Sequence, residues 1–84
     1  MLSQNYPNPF NLTTKISWQS PMGSHQTLIV CDLLGNEIVT LVDEYKPAGK
    51  HEATFNASRL SSGIYFYRLR AGSFIETRKI ILAK

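Results

Sequence analysis

The sequence predicts an all-β fold, a β-sandwich of about six or seven short antiparallel strands. Apolar and polar residues alternate with a period of two along most of the chain, and no segment has the period of a helix. Polar turns rich in glycine and proline separate the alternating runs. With 84 residues, 43% of them hydrophobic, the chain has room for one core and is expected to form a single domain, residues 1–84.

The chain opens with a segment that contains two closely spaced prolines. In residues 5–11 (NYPNPFN) each proline fixes its own φ and pushes the residue before it towards extended backbone. We therefore expect residues 1–12 to form an irregular extended arm, and residues 13–84 to form the sandwich. Tyr6 and Phe10 are expected to anchor the arm on the body of the domain.

The first half of the sandwich is predicted to hold four strands. The second of them is apolar on both faces, which is typical of a central, covered strand. Residues 32–37 are expected to form a hairpin turn, because Gly35 tolerates the positive φ that tight turns require. Residues 43–50 are expected to form a polar connection. The four strands are predicted at residues 13–20, 26–32, 37–42 and 51–56.

The second half begins with a loop at residues 57–63, in which Leu60 is expected to plug one end of the core. The most regular strand follows at residues 64–71, and a last strand at residues 74–82. The inward face of the regular strand is predicted to carry Tyr65, Tyr67 and Leu69.

Side chains that support catalysis or metal binding are few and scattered. Cys31 is the only cysteine, so no internal disulfide forms, and we expect it to be a half-buried strand residue. His51 is expected to pack inward and His25 to be exposed, whereas a zinc site needs clustered ligands. No glycine-rich loop opens a helix, as a phosphate site requires. We therefore expect a non-catalytic domain with no metal and no cofactor.

The chain carries no targeting segment of its own that we can identify. No apolar run reaches the roughly 18 residues of a transmembrane helix. The polar, proline-rich start is unlike a signal peptide. If the domain is exported, we expect the export signal to lie on a longer parent protein.

The charge is distributed unevenly along the chain. Residues 59–84 carry six Lys or Arg and one Glu, whereas residues 1–58 carry three Lys and five Asp or Glu. Such asymmetry can mark a binding end of a chain, and it equally fits the solvated outward faces of strands. Tyr65 and Tyr67 belong to the predicted core face, so we expect no nucleic-acid partner that would stack on them. Carbohydrate binding by exposed aromatic residues remains open.

Five segments follow one another along the chain in a recognisable order. They are residues 5–11 (NYPNPFN), 32–38 (DLLGNEI), 47–49 (PAG), 62–69 (SGIYFYRL) and 76–84 (ETRKIILAK). In this order and spacing they closely resemble the signatures of type IX secretion system C-terminal sorting domains. The departures are Leu12 where the family usually has proline, Cys31 where it commonly has tyrosine, and His51 where it commonly has an aromatic residue.

The resemblance implies an immunoglobulin-like β-sandwich at the C-terminus of a larger cargo protein. The family's domains are recognised in the periplasm and carry their cargo through the outer-membrane shuttle and translocon, and a sortase-like peptidase often removes them. It therefore implies a secreted or cell-surface location and an N-terminal cargo domain as a partner. The alternative is an accessory carbohydrate-binding or spacer immunoglobulin-like domain of a secreted enzyme.

The resemblance also places the expected recognition residues towards the C-terminus, at Gly63, Tyr65, Arg78, Lys79 and Lys84. Gly63 and Tyr65 fit a turn glycine and a core tyrosine equally well. The terminal basic residues are expected to steer docking, because charge at an exposed strand end attracts a complementary partner. Addition of the last strand to the edge of a partner's sheet is a further expected mode of binding.

Overall fold

Six antiparallel strands form the fold in the computed structural model of the chain, which describes residues 2–10 and 12–84. All six predicted strands are present, which confirms the all-β class. The described residues include no helix that is long and apolar enough to span a membrane. The strands are β1 (Thr13–Ser20), β2 (Ser24–Cys31), β3 (Glu37–Lys46), β4 (Gly49–Asn56), β5 (Gly63–Ala71) and β6 (Phe74–Leu82).

The strands form two sheets that pack face to face as an immunoglobulin-like sandwich. β1 pairs with β4, and the larger sheet has the order β3-β2-β5-β6. β2 lies between β3 and β5, so the central position predicted from its two apolar faces is confirmed. β3 and β6 are the edges of the larger sheet, and both strands of the small sheet are edges.

The core fills the space between the two sheets. Trp18 of the small sheet is buried, and its indole N–H donates to Oε1 of the buried Gln26 at 2.8 Å. His51 is half-buried beside Trp18, with ring centroids 5.8 Å apart, which agrees with its predicted inward position. Leu60 packs against this core as expected. The inward face of β5 is buried as predicted, with Tyr65, Tyr67 and Leu69 in the core.

The polar connection predicted at residues 43–50 is wrong. β3 continues to Lys46 and β4 begins at Gly49, so only two residues separate them. β2 also begins earlier than predicted, at Ser24, which pairs with Lys46. Hydrogen bonding between the two strands of the hairpin thus extends both strands beyond the end of the apolar alternation.

Two β-bulges interrupt β3, which is the edge strand of the larger sheet on the side away from β6. Ile38 and Leu41 each lack a partner on β2, because the pairing register shifts at these two places. Bulges bend and twist an edge strand, and they make it a poor template for pairing with another strand.

The turn between β2 and β3 forms as predicted. Gly35 has a φ of +89°, and the Asp32 carboxylate accepts hydrogen bonds from the backbone N–H groups of Leu34 and Asn36, both at 2.9 Å. These bonds and the Asn36 side-chain amide, which has the largest effect, hold the pKa of Asp32 below its usual value. Their contribution to stability is complete above the ordinary pKa of 3.8 and is lost as the pH falls through the lowered value.

The N-terminal arm, defined here as residues 2–10, lies along the side of the sandwich between β1 and β6. The Phe10 ring packs against Phe55 with centroids 5.9 Å apart, so its predicted anchoring role is confirmed. The prediction that Tyr6 anchors the arm is wrong, because its side chain is 82% exposed. Tyr6 instead exchanges two main-chain hydrogen bonds with Lys15. Three side chains of the arm are buried: Leu2, Asn5 and Phe10.

Candidate recognition surface

The outward side chains of β5 and β6 form a face that contains both apolar and cationic residues. Cross-strand pairing places Phe66 opposite Lys79 and Arg70 opposite Ile75. No acidic side chain belongs to this set. The face therefore combines apolar contact area with positive charge, as a surface that binds an acidic partner would. We call it the basic face, and its members are Ile64, Phe66, Arg68, Arg70, Ile75, Thr77, Lys79 and Ile81.

The cations of the basic face are weakly engaged within the domain. Arg68 lies 3.4 Å from the Glu37 carboxylate, and both side chains are partly exposed, so solvent screens the pair. Arg70 and Lys79 form no ion pair with any described residue. Their charges are therefore available to a partner.

The structure gives Gly63 and Tyr65 places in the fold. Gly63 begins β5 with a φ of +155°, which side-chain-bearing residues rarely adopt, and nothing lies within 4 Å of the place where its Cβ would be. Tyr65 is buried, and its hydroxyl donates to the Ser61 carbonyl at 2.7 Å. Both residues therefore shape the entry to β5.

Lys84 closes the C-terminal end against the loop before β5. Its Nζ donates to the Ser58 carbonyl at 2.7 Å, and its backbone N–H donates to Oγ of Ser62 at 3.1 Å. The ammonium group is exposed while it makes this contact. It can hold the loop and still present positive charge at this end of the domain.

Arg78 faces the arm rather than the solvent side of the sheet. Its Nε donates to the Leu2 carbonyl at 2.9 Å, and its guanidinium lies 3.2 Å from the Glu76 carboxylate. Alternation along β6 turns the neighbouring Lys79 outward onto the basic face. The five predicted recognition residues thus do not meet on one surface, and Lys79 alone among them belongs to the basic face.

The arm occupies the outer edge of β6. The backbone N–H of Phe10 donates to the Ile81 carbonyl at 3.1 Å, and the Ala83 N–H donates to the Phe10 carbonyl at 2.8 Å. The Ile81 N–H donates to Oδ1 of Asn8 at 3.0 Å. Addition of the last strand to a partner's sheet, as expected from the sequence, therefore requires the arm to leave this edge.

A buried tyrosine joins the arm to the core. The Tyr67 hydroxyl donates to the Ser3 carbonyl at 2.6 Å. Burial raises the pKa of Tyr67, and the nearby backbone N–H of Asn5 and the Arg78 charge oppose this effect only in part. The phenol therefore keeps its proton, and the bond to the arm, over the neutral range.

The sequence alone did not reveal the importance of Leu2 and Asn5. The Asn5 amide donates to the Pro7 carbonyl at 2.9 Å and to Oγ1 of Thr14 at 2.8 Å. Asparagine in a proline-rich segment usually indicates a turn, so only its position inside the NYPNPFN signature distinguished Asn5. Arg68 and Arg70 alternate with the predicted inward residues of β5, and the pairing of β5 with β6 puts them on the same face as Lys79.

The remaining surface features do not form a site with evident chemistry. A groove of about 470 Å³ lies between the β1–β2 turn and the β5–β6 turn, and its lining includes Met22, Leu69 and Phe74. The described residues contain no cluster of His, Cys, Asp and Glu suited to a metal ion. The most exposed aromatic side chains, Tyr6 and Tyr45, lie on the arm and on β3, and do not form the row of rings typical of a carbohydrate platform.

The fold and the basic face define a small β-sandwich with positive charge on one face of its larger sheet. The chain belongs to the family described as "Secretion system C-terminal sorting domain", the sorting domains of the type IX secretion system, which it matches over residues 4–83. No individually curated protein matches the sequence. Membership accounts for the five ordered signatures, and sorting domains of this family are in general not catalytic.

Proposed function

We propose that this chain is the export signal of a larger protein, directing its N-terminal cargo across the outer membrane through the type IX secretion system. The match to the sorting-domain family over residues 4–83 is the observation that carries the proposal. The parent protein passes through the periplasm and is released or retained at the cell surface. The partners are the outer-membrane shuttle and translocon, and a sortase-like peptidase that removes the domain.

The domain acts in this process by binding and has no catalytic role. The features recognised in this proposal are its surface and its strand edges. This assignment rests on the family and on the exposed chemistry of β5 and β6.

The five expected recognition residues divide into two groups in this proposal. Gly63, Tyr65 and Arg78 act by shaping the backbone and holding the arm, while Lys79 contacts the partner directly. Lys84 does both, since its ammonium group is exposed while it bonds to the loop. Lys79 acts together with Arg68 and Arg70 on the basic face, which then docks on an acidic surface of the shuttle.

A reporter assay tests the proposal. A periplasmic reporter fused in front of this chain is expressed in a bacterium that has the type IX system, and in a matched strain without the translocon. The reporter should reach the medium or cell surface only in the first strain. Periplasmic retention of the reporter in both strains would disprove the proposal.

Charge reversal tests the role of the basic face. We expect Lys79→Glu to reduce export, because it reverses an outward charge without removing a core side chain. Lys50→Glu is the matched control, since Lys50 is an exposed lysine on the other sheet. Removal of residues 78–84 is less informative, because it deletes the buried Ile80 and Leu82 and would unfold the domain. Equal export of the two variants would exclude direct recognition through Lys79.

A further inference from the structure

The arm is bound differently by its two neighbours. Along β1 it pairs through main-chain groups. The Ser3 N–H donates to the Ser17 carbonyl at 2.9 Å, and Tyr6 and Lys15 donate to each other's carbonyls at 2.9 Å. These bonds belong to two isolated antiparallel bridges, Leu2 with Trp18 and Tyr6 with Lys15, so β1 holds the arm through main-chain groups.

Along β6 the arm uses side chains at two places where a strand would use its backbone. Oδ1 of Asn8 accepts from the Ile81 N–H at 3.0 Å, and Nε2 of Gln4 donates to the Lys79 carbonyl at 2.9 Å. Pro7 and Pro9 have no N–H to offer in this stretch. The edge of β6 from residue 79 to residue 83 is therefore only partly paired with main-chain groups.

We propose that this edge of β6 is a strand-binding site, which the arm occupies at rest and an extended segment of the export machinery occupies after the arm is displaced. The inference rests on the proposed function and names the mode of binding. The segment would carry backbone N–H groups where the arm has prolines, and one large apolar residue to replace Phe10 beside Phe55. Its backbone would thus make the hydrogen bonds to β6 that the arm makes with the amide side chains of Gln4 and Asn8.

The other sheet edges are less suited to this role. β3 is bulged at Ile38 and Leu41, which disrupts the regular ladder that an incoming strand needs. A segment added at the free edge of β4 would pair with β4 alone, whereas the arm contacts both β1 and β6. A segment in the place of the arm would lie between β1 and β6, with the cation of Lys79 on the adjoining face.

A reversible tether of the arm tests the inference. Tyr6 and Lys15 form a hydrogen-bonded antiparallel pair, whose Cα atoms lie about 5.5 Å apart, within the range of about 4.4–6.8 Å for disulfides. Both side chains are exposed, so Tyr6→Cys with Lys15→Cys leaves the core intact. Cys31→Ala in every variant removes the native thiol. The disulfide should form in the oxidising periplasm.

The tethered chain and the Tyr6→Cys single variant are compared as reporter fusions. We expect the tether to lower export by about tenfold or more, because fixing Tyr6 on β1 restrains Asn8 and Phe10 beside β6 and so depopulates the competent state with a free β6 edge. Equal export of the two variants would overturn the inference and leave the proposed function intact. Loss of export in the single variant and the unaltered chain alike would disprove the proposed function, and the inference with it.

Amide hydrogen exchange in the isolated chain gives a readout that does not depend on export. The N–H groups of Ile81 and Ala83 face the arm, whereas alternation turns those of Ile80 and Leu82 towards β5. If the arm detaches without global unfolding, Ile81 and Ala83 should exchange about tenfold faster or more than Ile80 and Leu82. Exchange of all four at one rate would show that the arm leaves only on unfolding, and would overturn the inference.

Discussion

The two sides of this sandwich close their sheet edges by different means. On one side β1 and β6 share the arm, which buries Leu2, Asn5 and Phe10. On the other side β3 and β4 are joined by a connection of two residues, and two bulges interrupt β3. The difference shows that a separate segment closes the first side, whereas bulges and a short connection within the strands themselves close the second.

The largest effect is expected from Phe10→Ala, which removes the main anchor on the arm side. Phe10 is buried against Phe55, and deleting a buried phenylalanine costs about 3–5 kcal/mol. Urea denaturation should show this loss, and it would unfold much of a chain of this size. Tyr6→Ala is the matched control on the same arm, and its exposed ring predicts a change within about 0.5 kcal/mol. Equal losses for the two variants would contradict an anchoring role for the Phe10 ring.

Asn5→Ala should have the next largest effect. It deletes an amide that donates to the Pro7 carbonyl and to the Thr14 hydroxyl, which would then keep only their bond to each other at 2.8 Å. The two lost hydrogen bonds together cost about 1–3 kcal/mol. The measurement is again urea denaturation, with amide exchange of Ile81 as a probe of the arm. A loss of global stability without faster exchange at Ile81 would argue that Asn5 does not control the arm.

Alkaline pH should weaken the arm side through Tyr67. Burial raises its pKa above the ordinary value of 10.0, so its contribution to stability is complete below that value and is lost as the pH rises through the raised pKa. Ionisation also ends donation to the Ser3 carbonyl. In thermal unfolding followed from neutral to strongly alkaline pH, Tyr67→Phe should lower stability at neutral pH by about 1 kcal/mol and flatten the alkaline decline. If stability declines at alkaline pH as steeply in Tyr67→Phe as in the unaltered chain, titratable groups other than Tyr67 cause the decline.

The smallest effect is expected on the bulged side. Ile38 is 37% exposed and has no partner on β2, so Ile38→Ala should cost less than about 1 kcal/mol. Ile38→Ala and Phe10→Ala both shorten a large apolar side chain to alanine. The difference between their losses of stability therefore compares the two sides directly. A loss as large as that of Phe10→Ala would remove the distinction between the two sides.

The sequence predicted the strands well because their alternation is local. β1 and β6 have the predicted bounds, and the turn at Asp32 and Gly35 forms with the expected chemistry. The end of β3 was missed because cross-strand pairing, which no local pattern records, extends it to Lys46. The anchoring role of Leu2 was missed for a similar reason, since its carbonyl meets Arg78 across 76 residues of sequence.

The sequence predicted which residues belong to the candidate site better than it predicted what each residue does there. Family signatures pointed to Gly63, Tyr65, Arg78, Lys79 and Lys84, and all five lie on or beside β5 and β6. Alternation predicts which side a residue faces, but it does not predict which segment covers that side. Arg78 and Lys79 are neighbours in sequence, yet the Arg78 side chain bonds to the arm and the Lys79 side chain is exposed to solvent.

The position of the arm also bears on self-association. Two open sheets have four edges, and every free edge is a place where another copy of the chain could add by strand pairing. A single segment between β1 and β6 removes two of these edges at once, much as closure removes edges from a barrel. Molecules that accumulate before export would thus have fewer ways to aggregate.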